Sequence, residues 1–249
     1  VTMSEAIDDD AAGDITDADA DEFSVSGGSV DAVSTGDSSD DDTVVLSVSG
    51  FDGTDVTPTV TQEGGDAPIA DYAGNSNTGT PSVGADDGAA PAMLSASTAD
   101  DDNDGTVDHI DVTMSESLSD DDSTFDDTVF STNDQDASLG AASTDDSADD
   151  NQVDVVVNNA PAGDTSFTLT DLTLASDVLS DGSNSLSSSQ TLNTVSDGAD
   201  AQVLTAEVTD TLPSSTVELR FSEDVGTSSD GTGDITSTDL SYADGTVED

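Results

Sequence analysis

The sequence has no cysteine, no tryptophan and no lysine, and it holds one arginine and one histidine in 249 residues. Without cysteine, neither disulfides nor thiolate metal sites can staple the fold. Set against 57 acidic side chains, the single arginine leaves a formal net charge of -56. Nothing in such a chain can neutralise phosphates, which excludes nucleic acid as a partner and disfavours an anionic membrane surface. No run approaches the roughly 20 apolar residues of a membrane-spanning helix. No basic segment followed by an apolar one opens the chain, so a signal or anchor is expected outside this stretch if the protein carries one. Asparagine never stands in an N-x-S/T sequon, so any glycosylation is expected to be O-linked.

What is present is aspartate. Only eight of the acidic residues are glutamate, hydrophobic residues make up 32 % and aromatics 3 %. In ordinary buffer this composition is that of a disordered chain, because burial does not offset chain entropy and self-repulsion. At molar salt the Debye length falls to about 3 Å and repulsion between surface carboxylates is largely screened. The near-absence of lysine and the preference for short Asp over Glu resemble the proteins of extreme halophiles, for which a carboxylate-rich surface keeps the protein hydrated.

Internal repetition argues for a fold. VTMSE at 1–5 recurs at 112–116, and VELRFSEDV at 217–225 is a third copy. APAMLSA at 90–96 corresponds to DAQVLTA at 200–206, and TVVLSVSGFDGTDVTPTVT at 43–61 to QVDVVVNNAPAGDTSFTLT at 152–170. The implied modules are 1–88, lacking its first strand, a complete module at 89–198, and the first half of a third at 199–249. Either the sequence is a piece of a longer tandem array, or the half-modules complete those of a neighbour. Within each module apolar residues alternate with polar ones: Ile110, Val112 and Met114; Val153, Val155 and Val157; Phe167 and Leu169; Val217, Leu219 and Phe221. Such runs, separated by Gly, Asp, Asn and Ser clusters, predict half-buried antiparallel strands, about seven per module of roughly 110 residues. A solvating tail has no reason to keep apolar residues in register across copies. Phe51, Phe167 and Phe221 are expected in the core, and Tyr72 and Tyr242 at turns or sheet edges.

The order A-x-L-x-A, an optional DxDxDG, then V-x-[MLV]-x-[FM]-SE resembles the opening of bacterial and archaeal Ig-like surface modules. The later VTPTV and IADYAGN resemble their closing half, ending in a D-x-x-GN turn from which LSDGSN at 179–184 departs. The resemblance implies an all-β chain of tandem Ig-like antiparallel β-sandwiches, one complete and two partial. It also implies a structural role, since such modules are spacers in S-layer proteins, adhesins and large secreted proteins.

TADDDNDGTVDHID carries the one patterned acidic cluster. Asp100, Asp102 and Asp104, then Gly105, Asp108 and Asp111, match positions 1, 3, 5, 6, 9 and 12 of a calcium loop. Alternating carboxylates converge on one ion, glycine at position 6 permits the sharp turn, and oxygen-only ligands suit a hard cation such as Ca2+. The last residue is Asp rather than bidentate Glu, and no helices are predicted to flank the loop, so it is not an EF-hand. The competing reading is one more solvated acidic surface, since Asp is abundant and the third module has TDTLPSS in the same place. The acidic runs at 8–10, 40–42, 120–122 and 145–150 read as solvated loops.

Nothing predicts catalysis. A lone His109 without a nucleophile or base partner is no acid–base pair, there is no G-x-S-x-G elbow, and no carboxylate pair sits in an aromatic-lined cleft. Arg220 is expected to face outward beside Glu218. The expected function is extracellular and structural: a surface layer, stalk or filament that self-associates head-to-tail or in a lattice. The alternatives are an adhesin recognising a glycan or partner cell, and a spacer of a large secreted enzyme.

Overall fold

Along residues 109–114 burial alternates residue by residue: Ile110, Val112 and Met114 are fully enclosed, while His109, Asp111 and Thr113 stay half-buried on the other face. This is the period-two geometry of a strand. The computed structural model describes residues 1–226 except 5, 8–20, 35–41, 64–68, 72, 76–78, 120–123, 126–127, 136, 144–149 and 212–213. Tyr72, Tyr242, the end of the third module and most of the solvated acidic runs therefore lie outside the described residues. No α-helix occurs among those described, and every strand pair is antiparallel. The chain divides into two units, Val1–Ala89 and Ala90–Asp249.

In the Val1–Ala89 unit, β1 (Phe23–Val25), β4 (Thr59–Gln62) and β5 (Ser82–Gly84) form a sheet of order β1-β4-β5, and β2 (Ser29–Ser34) pairs with β3 (Val45–Ser49). Residues 1–3 run beside the entry to β3, with Thr2 bridging Thr43 and the Val44 N–H donating to Val1 O at 2.9 Å. Ile7, Phe23, Val33 and Val44 form the core, with Met3, Leu46, Val60 and Ile69 packed against it.

The Ala90–Asp249 unit holds a sheet of order β6-β7-β11-β10-β8, made of β6 (Met93–Ala99), β7 (His109–Met114), β8 (Thr124–Phe125), β10 (Leu139–Ser143) and β11 (Gln152–Val157). A second sheet, β13-β12-β9, is made of β9 (Phe130–Ser131), β12 (Leu172–Leu174) and β13 (Gln190–Leu192). Val112, Met114, Val153 and Val155 from the first sheet share one buried core with Phe130, Leu172 and Leu174 from the second, the arrangement of a β-sandwich. β14 (Val203–Thr211) and β15 (Ser214–Phe221) form a hairpin.

One pairing scheme recurs. Leu172 faces Leu192 and Leu174 faces Phe130; in the other unit Val60 faces Val83 and Gln62 faces Phe23. The β6–β7 hairpin pairs Met93 with Met114 and then slips register before Ser95, and β14–β15 pairs Val203 with Phe221 and slips before Thr205. The slip is a bulge, one extra residue on the first strand, held at the same place in both hairpins.

One expectation needs correction. Phe167 and Leu169 alternate in sequence but lie outside any strand; Leu169 is buried all the same, and the strand forms at Leu172–Leu174. LSDGSN, although it departs from D-x-x-GN in sequence, also forms an Asp-centred turn. In DYAGN, Asp71 Oδ1 accepts the N–H groups of Ala73 and Asn75 at 2.9 and 2.8 Å, and Oδ2 accepts Asn75 Nδ2 at 2.8 Å. Asp181 does the same one residue tighter, accepting from Ser183 and Asn184 N–H and from Asn184 Nδ2. The carboxylate and the amide define the turn, with Gly74 and Gly182 supplying its positive φ.

Candidate functional site

The 100–108 loop connects β6 to β7 and is closed at its neck by the Asp108 N–H donating to Ala99 O at 2.8 Å. Inside it the carboxylates turn onto the loop's own backbone. Asp100 accepts the N–H groups of Asp104 and Gly105 at 3.2 and 2.9 Å, Asp102 accepts that of Asp104 at 3.1 Å, and Asp108 accepts that of Asp101 at 3.0 Å. Asn103 and Gly105 supply the left-handed residues that let so short a stretch reverse, at φ 57° and 85°.

The five predicted ligands divide. Asp100, Asp102 and Asp108 bring carboxylate oxygens within 4.8 Å of one another, so they could jointly hold a cation. Asp104 is not in that group; its N–H bonds two of the three, and its charge adds to the field at Asp102. Asp111 is on β7, where its Oδ1 lies 2.8 Å from His109 Nε2. The reason is the backbone: an EF-hand enters a helix after its ninth position, whereas here the chain becomes extended at His109 and carries position 12 away at about 3.3 Å per residue. The pKa of Asp102 is raised, first by desolvation, then by the charge of Asp104, with Asp108 and Asp100 adding to it. Negative charge is concentrated there, and a divalent cation would relieve it.

His109 does more than the sequence suggested. It stands on the outer face of β7, yet its side chain is only 13 % exposed, with Nδ1 3.3 Å from Asp101 and Nε2 2.8 Å from Asp111. The ring links loop to strand, and with Asp111 and Asp154 it forms a second group of potential ligand atoms. Arg220 is exposed and sits opposite Thr205.

The loop also touches the base of the β14–β15 hairpin. Gly105 lies so near Leu204 that a Cβ there would stand 2.4 Å from Leu204 Cδ2. Gln202 Nε2 donates to Asn103 Oδ1 at 3.1 Å. Beside it, Thr165 and Ser222 hydroxyls meet at 2.7 Å, and Thr165 donates to Glu223 Oε1 at 3.0 Å. Asp197 and Glu223 stand at this joint with raised pKa values. Desolvation is the main cause for both; Asp164 adds to it at Asp197, and at Glu223 the Thr165 hydrogen bond opposes it while Asp197, Asp164 and Asp200 add to it. Sequence reasoning did not single out this second carboxylate group, although Glu223 belongs to the repeated SE. The signal was the repeat, and the missing information was which loops meet it.

No family model matches this sequence, and no curated protein or solved structure matches it either.

Proposed function

We propose that the chain is an extracellular structural protein, a run of Ig-like β-sandwich modules that builds a cell-surface layer, stalk or filament of a halophilic prokaryote. Calcium in the 100–108 loop stiffens the joint between the sandwich and the hairpin that follows it. The observation that carries the reading is the loop's position: its carboxylates converge on one side, while Asn103 and Gly105 bear on Gln202 and Leu204 of the hairpin. A cation held by Asp100, Asp102 and Asp108 ties down a loop that is itself the contact between two elements of the repeat. Oxygen ligands, absence of thiolate and high carboxylate density suit a hard divalent ion. The surface charge fits a medium of high ionic strength, where repulsion is screened.

Electron microscopy in molar KCl, with calcium and then with chelator, tests the reading. Ordered filaments or sheets that loosen on chelation are expected. Dispersed particles under both conditions would overturn it in favour of an adhesin or a spacer.

A further inference from the structure

The outer face of the five-stranded sheet carries a pair of like charges in register. Asp111 on β7 directly faces Asp154 on β11, and both are half-buried. Carboxylates opposite one another on neighbouring strands destabilise a sheet, so this position calls for a cation between them. Two residues back along β7, on the same face, stands His109, the chain's one histidine. A ring nitrogen of His109 and one carboxylate oxygen each from Asp111 and Asp154 lie within 4.8 Å of one another.

Two features set this group apart from the acidic loops of the surface. It contains an imidazole, a nitrogen ligand that suits zinc, copper, iron and nickel, whereas calcium and magnesium sites are built from oxygen. Its side chains also come from strands and not from a loop. The β7–β11 register holds them in place, with Val156 facing His109 and Asp154 facing Asp111. On the β6 side the facing residues are the short Ala99 and Ser97, which leave room above the sheet.

The ring is already oriented for a metal, and by a residue outside the group. Nδ1 lies 3.3 Å from Asp101 Oδ2, while Nε2 lies 2.8 Å from Asp111 Oδ1. A metal-bound histidine characteristically gives its second ring nitrogen to a carboxylate, which fixes the tautomer and aims the first nitrogen at the ion. Asp101 stands where that carboxylate belongs, and Nε2 is turned toward ligand oxygen. In a tetrahedral zinc site, bonds of about 2.1 Å put ligand atoms about 3.4 Å apart. Nε2 and Asp111 Oδ1, now 2.8 Å apart, therefore need to separate by only roughly 0.6 Å to take the ion.

We propose that His109, Asp111 and Asp154 form a binding site for a divalent cation of the zinc class, with Asp101 as the carboxylate that orients the ring. The ion bridges β7 to β11 and neutralises the facing carboxylates. Through Asp101 it also ties the 100–108 loop to the sheet. Three protein ligands leave a fourth position for water. The site is distinct from the calcium loop, because Asp100, Asp102 and Asp108 form a separate group. It goes beyond the structural reading above and does not depend on it.

Calorimetric titration of Zn2+ into the 249-residue chain, in molar KCl with excess calcium to occupy oxygen-only sites, tests the proposal. One zinc per chain is expected. The single imidazole supplies a specific readout that needs no variant: by nitrogen NMR the Nε2 resonance should move on zinc addition while Nδ1 keeps its proton. An outer-shell carboxylate is worth about 10- to 100-fold in metal affinity, so Asp101→Ala should weaken zinc about tenfold, and His109→Gln and Asp154→Asn by more. Zinc should also raise the unfolding midpoint of the parent and not that of His109→Gln or Asp154→Asn. Zinc heat that persists in both variants, with the imidazole resonances unmoved, would mean adventitious binding to surface carboxylates and overturn the site. Absence of zinc heat would overturn it too. An imidazole signal that moves equally in the parent and in Asp154→Asn would remove β11 from the site and overturn the bridge between strands.

Discussion

Thr165 Oγ1 and Ser222 Oγ lie 2.7 Å apart, both buried, across 57 residues of sequence. Thr165 also donates to Glu223, and Ser222 Oγ accepts the Gln202 N–H at 2.8 Å. The hydroxyl pair is thus the centre of a small network fastening the base of the β14–β15 hairpin to the loop before Phe167. Thr165→Val keeps the shape and removes the donor to Glu223. The expected cost is about 1–3 kcal/mol, the range for stranding a buried polar partner. Hydrogen exchange should locate it: β14 and β15 amides lose protection while those of β7 and β11 keep theirs.

Gly105 is fixed by two independent demands. Its φ of 85° disfavours any side chain, and a Cβ would meet Leu204 Cδ2 at 2.4 Å. Gly105→Ala is expected to destabilise by about 1–2 kcal/mol from the left-handed backbone alone, with the contact adding to it. Adding Leu204→Ala removes the collision and leaves the backbone term, so the double variant should recover part of the loss. Thermal unfolding of the two single variants and the double one in molar KCl measures that coupling.

How much of this was legible beforehand follows from what alternation encodes. Ile110, Val112 and Met114, like Val153, Val155 and Val157, gave both their strands and their buried faces, because period two is a local property. Val217, Leu219 and Phe221 carry the same pattern and form a strand, but Val217 is exposed: the pattern names a face and does not say what covers it. Phe167 and Leu169 show the converse, a buried residue beside a false strand. In the loop, spacing named five aspartates, of which the fold brings Asp100, Asp102 and Asp108 together, whereas β7 is extended and carries Asp111 to the group with His109 and Asp154. His109 between Asp101 and Asp111, and Glu223 near Asp197, depend on where strands and loops cross, and no short window of sequence contains that.

The division of the five aspartates can be measured directly. Asp100→Asn and Asp108→Asn should each weaken calcium binding on the order of tenfold, since ligand charge sets affinity in such sites. Asp111→Asn should leave it nearly unchanged, its carboxylate being engaged with His109. Calorimetric titration of the three variants at molar KCl decides. Equal losses at all three positions would support the longer twelve-residue pattern, and no heat with the parent chain would remove calcium from the account.

Two kinds of carboxylate should act oppositely on stability as pH changes. Asp171 is held low chiefly by the Asn133 N–H, with the Asn133 amide and Thr132 hydroxyl assisting, and Asp71 is held low first by the Asn75 side-chain amide and then by the Asn75 N–H. A depressed folded-state pKa gives stability that is present above the unfolded value of about 3.9 and is lost as pH falls through the folded one. Asp197 and Glu223 are raised, so their contribution is present below the unfolded values, about 3.9 and 4.3, and is lost as pH rises through the folded ones. At neutral pH the charged pair at the joint is therefore a cost. Glu223→Gln retains an oxygen for Thr165 and removes one charge, so its unfolding midpoint should exceed the parent's at pH 7 and approach it as pH falls through the folded value. The gain should shrink at molar KCl, where exposed charges are screened. Asp171→Asn should do the reverse, losing stability at pH 7 and none below the pH at which Asp171 is protonated. Unfolding curves for both variants across pH 3 to 7, at low and molar salt, read the two signs separately.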